Sequence, residues 1–151
     1  MHQSSIKKEG TNTCLWSLQI VVIFNSVLNA CAYSIGDDSE QRNALEIASA
    51  MMKELEKSSY GKADHITYGT FLKVCENELP QSEQRSRLVD IIFRKCVRDG
   101  QVGQFVLDQM RAMATRSELE ELVGAHQSWK DLPDDWTCNV IEGKKQRRQF
   151  V

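Results

Sequence analysis

The chain has very little proline, with two residues in 151, and no stretch that alternates apolar and polar residues over the length of a strand. Proline breaks helices and strict alternation marks half-buried strands, so both shortages favour helix. The composition is 41% hydrophobic and 26% charged, which is typical of a globular domain and not of a disordered chain. The sequence therefore predicts an all-α protein, long enough to bury a core.

Positive charge, paired cysteines and long apolar runs are also scarce. A net charge of −2 and a pI near 5.9 exclude binding to a polyanion by bulk charge, so nucleic-acid binding would need locally placed basic residues. Five cysteines without a CxxC spacing argue against a disulfide framework and for a reducing, intracellular compartment. The apolar run Leu15–Phe24 is shorter than the roughly 20 residues of a membrane span. No membrane association is predicted.

Catalytic and metal-binding patterns are missing as well. The three histidines, at positions 2, 65 and 126, lack the spacing of zinc ligands. The sequence shows no recognisable catalytic pattern of the Ser/His/Asp, Cys/His or paired-carboxylate type. We therefore predict no enzyme activity, no cofactor, no metal and no small-molecule substrate.

One stretch of the sequence occurs twice. Ile66, Tyr68 and Cys75 repeat the character of Val22, Phe24 and Cys31, and each pair is separated by 44 residues. Leu72 likewise repeats Leu28. A fixed period of about 20–50 residues is the signature of a repeat architecture. Within each copy, the apolar spacing is that of one buried helical face. Lys7-Lys8 before the first copy and Ala30-Cys31-Ala32 within it also fit a secretory signal, but the downstream copy favours a buried helix.

The same reasoning gives a series of helices, each bounded by caps, Gly or Pro. The predicted helices are Val21–Tyr33, Glu40–Lys57 with Asp38 or Ser39 as N-cap, Ile66–Glu78, one from Ser82 to Asp99-Gly100, Val102–Ala114 and Glu118–Val123. We predict an α-solenoid of helix-hairpin repeats with C-terminal capping helices. Its parts are a disordered segment 1–14, a helical repeat domain 15–124 (units 21–64 and 65–100, cap 101–124), and a segment 125–151 with an acidic turn at Leu132–Trp136 and a basic tail at Lys144–Arg148.

The first helix of each copy resembles a helix of a known repeat family. Val22–Cys31 and Ile66–Cys75 resemble the first helices of pentatricopeptide repeats, typified by V-T-Y-N-x-L-I, and Ala44–Ile47 with Leu55 resembles the second helix. The resemblance covers roughly Val21–Gly100, and the later helices resemble a cap at the C-terminal end of such an array. It implies a non-catalytic module that binds single-stranded RNA through one base per repeat, in organellar RNA processing.

The resemblance also implies which residues bind RNA. Asn25 and Asp64 occupy the two specificity positions, and this pair is associated with a pyrimidine, usually uracil. Val22 is the apolar residue that would stack on the base, and we expect Lys62 and Lys73 to assist as nearby cations. Gly69 stands at the base-reading position of the second copy, so that unit is expected to read nothing.

Other interpretations of the same residues stay open. Asn25 can be a polar residue on a solvated face, and Asp64 can be simply the N-cap of the next helix. The alternative function is a helical scaffold that binds protein without RNA, with its concave face on a partner helix. A mitochondrial or plastid location is suspected from the family resemblance only, because residues 1–12 lack an Arg-rich amphipathic pattern.

Overall fold

The computed structural model describes residues 19–59, 61–124 and 128–141, and every regular element within these ranges is helical. The all-α class is therefore confirmed. The predicted disordered segment 1–14 and the basic tail Lys144–Arg148 lie outside the described residues. The elements are α1 (19–32), α2 (Asp38–Lys57), α3 (His65–Glu78), α4 (Glu83–Arg98), α5 (Gln104–Met113), α6 (Arg116–Leu122), a 3₁₀ turn (Trp129–Asp131) and α7 (Asp134–Thr137).

Helix α3 lies at the centre of the packing and contacts α2, α4 and α5. Most of its side chains are buried on all faces, which explains why Tyr68, Phe71 and Leu72 are among the largest fully buried residues. Burial of such side chains contributes roughly 1.5–3 kcal/mol each before the loss of conformational entropy is counted. The second copy of the repeat is thus the core helix of the domain.

The two copies of the repeat lie side by side. Near the start of α3, the Thr67 hydroxyl donates to Asn25 Oδ1 of α1 at 2.6 Å. Near the other end, Asn77 Nδ2 donates to the carbonyl of Ala32 at 2.6 Å. These two contacts follow the same chain direction in both helices, so α1 and α3 run parallel. Each is followed by its own second helix, α2 or α4, and assembly of these pairs into a solenoid stays a prediction.

Three helix starts correct the sequence analysis, and capping chemistry decides two of them. Asp37, and neither Asp38 nor Ser39, is the N-cap of α2, because Asp37 and Glu40 exchange the two hydrogen bonds of a capping box. Helix α5 begins at Gln104 instead of Val102. The Val102 amide donates to the carbonyl of Trp136 at 2.9 Å, so it is held outside the helix.

Helix α6 also begins two residues before the prediction. Thr115 and Glu118 form a capping box that places the first turn at Arg116. Capping explains the starts of α2 and α6 better than apolar periodicity, which locates a helix but not its first residue.

The segment predicted as an acidic turn overlaps α7 and packs back onto the domain. The ring of Trp136 meets Phe93 edge to face, with centroids 6.0 Å apart and an interplanar angle of 81°. Asn139 N–H donates to the Gly100 carbonyl at 2.9 Å. Trp129 and Leu132 are buried. These contacts tie residues 129–140 to the turn after α4, although the acidic side chains Asp134 and Asp135 stay exposed.

Candidate nucleic-acid interface

Three side chains form a hydrogen-bonded network where α1 meets the start of α3. Asn25 Nδ2 donates to Asp64 Oδ1 at 3.3 Å, and Thr67 Oγ1 donates to Asn25 Oδ1 at 2.6 Å. Thr67 Oγ1 also lies 2.9 Å from Asp64 Oδ1. The single hydroxyl proton goes to the shorter contact. The structure thus brings together Asn25 and Asp64, the two residues that the resemblance assigns to specificity.

Asp64 holds its position because it is the N-cap of α3. Its carboxylate accepts from the Thr67 amide at 2.9 Å, and its own amide donates to the Thr67 hydroxyl at 3.1 Å. The expectation that Asp64 caps this helix is therefore confirmed. Asp64 does two things at once, since the same Oδ1 atom that caps α3 also accepts from Asn25.

The network leaves the Asn25 amide only partly used. A primary amide has two N–H donors and two lone pairs on its oxygen. One donor is taken by Asp64 and one lone pair by Thr67. Within the part of the chain that the structure describes, one N–H and one lone pair remain on a half-buried side chain whose orientation is fixed at both ends. Such a group can donate to a carbonyl and accept from an adjacent N–H.

Val22 lies one helical turn before Asn25 on α1, and 63% of its surface is exposed. Its counterpart in the second copy, Ile66, is 39% exposed and directly precedes Thr67. Leu28 and Cys31, which follow on the same helix, are buried. The apolar positions of the repeat therefore divide into a buried set toward the C-terminal end and an exposed pair beside the network.

The two predicted cations differ in their surroundings. Lys62 is exposed and precedes Asp64 by two residues. Lys73 is partly buried, and its Nζ lies 3.6 Å from Glu76 Oε1. No hydrogen bond or ion pair among the described residues joins Lys73 to Asn25 or Asp64. Lys62 is thus the better placed of the two to meet a phosphate near the network.

Sequence reasoning did not identify Thr67 or Phe105. The signal for Thr67 was its place three residues after Asp64, which is capping-box spacing with Thr in place of Glu or Gln. Phe105 has no signal in the repeat itself. A Cβ built on Gly69 would lie 2.4 Å from the Phe105 ring, so α5 covers the position that corresponds to Asn25. Gly69 is the residue that allows this close approach.

Comparisons with known proteins add no assignment. No family model, curated protein or solved structure matches the chain. Among the residues that the structure describes, no helix is both long and apolar enough to cross a bilayer. Across the same ranges, no three His, Cys, Asp or Glu side chains are arranged to hold a metal ion. The candidate interface therefore rests on the geometry of four residues, Asn25, Asp64, Thr67 and Val22.

Proposed function

We propose that this chain is a non-catalytic, pentatricopeptide-like helical repeat module that binds single-stranded RNA beside the Asn25–Asp64 pair. The observation that supports this most directly is the fixed amide of Asn25, with one donor and one acceptor left for a ligand. Uracil presents an N–H next to a carbonyl, which is the complementary pattern. A role in organellar RNA processing follows from the family resemblance only.

The neighbouring residues support a base more than another polar ligand. Val22 offers an exposed apolar surface one turn from Asn25, on which the flat face of a base can rest. Lys62 supplies a cation for the adjacent phosphate. The covered position at Gly69 leaves the second unit without an equivalent reader. The module therefore contacts one base through side chains of its first unit.

The test is a binding titration with labelled single-stranded RNA, read by fluorescence anisotropy. We expect uridine-rich RNA to bind more tightly than adenosine-rich RNA, with an affinity that falls as salt rises. Asn25→Ala should weaken uridine-rich binding about tenfold, the equivalent of roughly 1.4 kcal/mol. The matched control is Asn43→Ala, which removes an exposed amide from α2 and should leave the affinity unchanged. Equal binding by wild type and Asn25→Ala would refute the proposed reader.

A second candidate function is a helical scaffold for a protein partner. It is favoured by the fact that Asn25, Asp64 and Thr67 hydrogen-bond to one another, as purely structural residues would. Exposed isoleucines at positions 47 and 91, on the two second helices, give a partner apolar contacts. Absence of RNA binding together with salt-insensitive capture of a partner, lost on Ile47→Ser or Ile91→Ser, would support this function instead.

A further inference from the structure

A cleft on another part of the domain has a charge pattern that neither function explains. It has a volume of about 800 Å³ and is formed by the N-terminal half of α2, the C-terminal end of α3 and the start of α4. We call it the α2–α4 cleft. Four carboxylates line it against two guanidinium groups, and they are Asp38, Glu46, Glu76 and Glu78 against Arg42 and Arg85. Its volume is in the range of ordinary ligand sites, about 300–1,000 Å³.

Glu78 is the residue that makes this cleft unusual. Its side chain is only 4% exposed, and neither Oε1 nor Oε2 has a hydrogen-bond partner among the described residues. Buried carboxylates are normally paired or hydrogen-bonded, because desolvation of an unpaired charge is costly. Burial raises the pKa of Glu78. Both oxygens of Glu78 are therefore buried acceptors without a hydrogen-bond partner among the described residues.

The two arginines that line the cleft are engaged elsewhere. Arg85 donates through Nη1 to the Leu79 carbonyl at 3.3 Å and through Nη2 to the Met113 carbonyl at 3.4 Å. Arg42 donates to the carbonyl of Asp38 on its own helix. No ion pair within the described ranges reaches Glu78. The internal cations therefore leave the carboxylate without a counter-ion.

We propose that the α2–α4 cleft binds the guanidinium group of an arginine side chain from a partner peptide, with Glu78 as its bidentate carboxylate. Two unpartnered oxygens on one carboxylate match the paired N–H donors of a guanidinium, whereas an ammonium is a point charge. Guanidinium is also more weakly hydrated and is the preferred cation for buried pairs.

The rest of the lining suits an arginine stem. The apolar part of the cleft wall consists of Leu45, Leu79 and Pro80. The methylene groups of an arginine can pack along such a surface. Glu46 and Asp38 are exposed acidic residues on α2 that attract the cation to the cleft. Both Glu78 oxygens are covered, so the guanidinium reaches them through movement of lining side chains. The site requires no RNA and does not depend on the proposed RNA-binding function.

The experiment is a titration of the full chain with N-acetyl-arginine amide, followed by amide ¹H–¹⁵N chemical shifts of Asn77, Glu78, Leu79 and Gln81. We expect saturable shifts in these residues with the arginine compound. N-acetyl-lysine amide should bind more weakly because it lacks the fork of donors. Methylguanidinium should also bind more weakly because it lacks the stem that contacts Leu45 and Leu79.

Two variants separate the site from bulk charge. Glu78→Gln keeps the shape of the side chain and should weaken arginine binding at least tenfold. Glu54→Gln removes the same charge from an exposed position on α2 outside the cleft and should leave binding unchanged. Glu78→Met gives a second, apolar replacement of similar length in case the glutamine retains an interaction.

Three outcomes would overturn the proposal. The first is the absence of saturable shifts, and the second is equal binding by wild type and Glu78→Gln. The third is equal binding of the lysine compound or of methylguanidinium, which would remove the argument for an arginine side chain.

Discussion

Asn25 and Asp64 are joined by a hydrogen bond of 3.3 Å from Nδ2 to Oδ1, although 39 residues separate them along the chain. The bond connects α1 to the N-cap of α3. Thr67 closes the network by donating to Asn25 Oδ1. Binding of a ligand to the Asn25 amide would therefore be coupled to the packing of α1 against α3.

The Asn25–Asp64 pair should be energetically coupled. Asp64→Ala removes a helix cap as well as the acceptor, so it should lower the free energy of unfolding by about 1–2 kcal/mol. In a double-mutant cycle with Asn25→Ala, we expect a coupling of about 0.5–1.5 kcal/mol, measured by urea unfolding. The control is Asp37→Ala, which removes a capping box from α2 that has no bond to Asn25. Coupling of Asn25 to Asp37 as strong as that to Asp64 would contradict the network.

Gly69 and Phe105 should also be coupled, in this case through tight packing. Gly69→Ala places a Cβ within 2.4 Å of the Phe105 ring, so it should cost about 1–3 kcal/mol through overpacking. Phe105→Ala also destabilises by itself, because it removes the ring that packs on α3. In the double variant the clash is absent, and the two losses should sum to more than the measured total. Simple additivity in thermal or urea unfolding would show that the ring moves aside freely.

Glu78 should make stability depend on pH in a specific direction. Burial raises the pKa of Glu78, so the folded chain keeps this proton at pH values where the unfolded chain has lost it. Over that interval, the folded state binds more protons, and the free energy of unfolding falls as pH rises. Glu78→Gln should therefore be more stable than wild type at pH 7.

The difference between Glu78→Gln and wild type should vanish at about pH 3, well below the ordinary glutamate pKa, where Glu78 is protonated in both states. Thermal unfolding of both proteins across about pH 3 to 7 gives the measurement, with Glu54→Gln as the exposed control. A loss of stability in Glu78→Gln at pH 7 would mean that the carboxylate has an internal partner in solution.

The cysteines should differ sharply in reactivity. Burial raises the pKa of Cys75 to about 12 and that of Cys31 and Cys96 above the ordinary value, with Glu78 adding to the effect at Cys31. These three thiols are both buried and protonated at pH 8, whereas Cys138 is exposed.

Iodoacetamide labelling with mass-spectrometric mapping, in a Cys14→Ser background, should modify Cys138 within minutes and the other three only after denaturation. Rapid native-state labelling of Cys75 would show that α3 opens locally.

Much of the helical fold could be predicted from the sequence because periodicity and capping residues are local signals. The 44-residue repeat predicted that Leu28 and Cys31 lie on a buried helical face equivalent to that of Leu72 and Cys75. All four residues are buried. The start of α5 was missed because a tertiary bond decides it, since the Val102 amide is held by Trp136 from a segment 34 residues later. The starts of α2 and α6 were missed although their capping boxes are local.

The candidate site was predictable only in part. Asn25 and Asp64 were named because a resemblance assigned them, and their contact depends on the angle between α1 and α3, which no local pattern encodes. Thr67 escaped notice because a threonine three residues after a cap is common in helices of any function. Glu78 escaped notice because a glutamate at the end of a helix is normally solvated, and only the packing of α2 and α4 around it buries the carboxylate.

The ring of Phe105 over Gly69 has a consequence for any effort to redesign this domain. A polar side chain at position 69 cannot be introduced alone, because the space it needs is filled by a residue that also holds α5 in place. The two positions must change together, and loss of the Phe105 ring would weaken the packing of α5 against α3. A larger side chain at position 69 therefore requires a redesigned contact between these two helices.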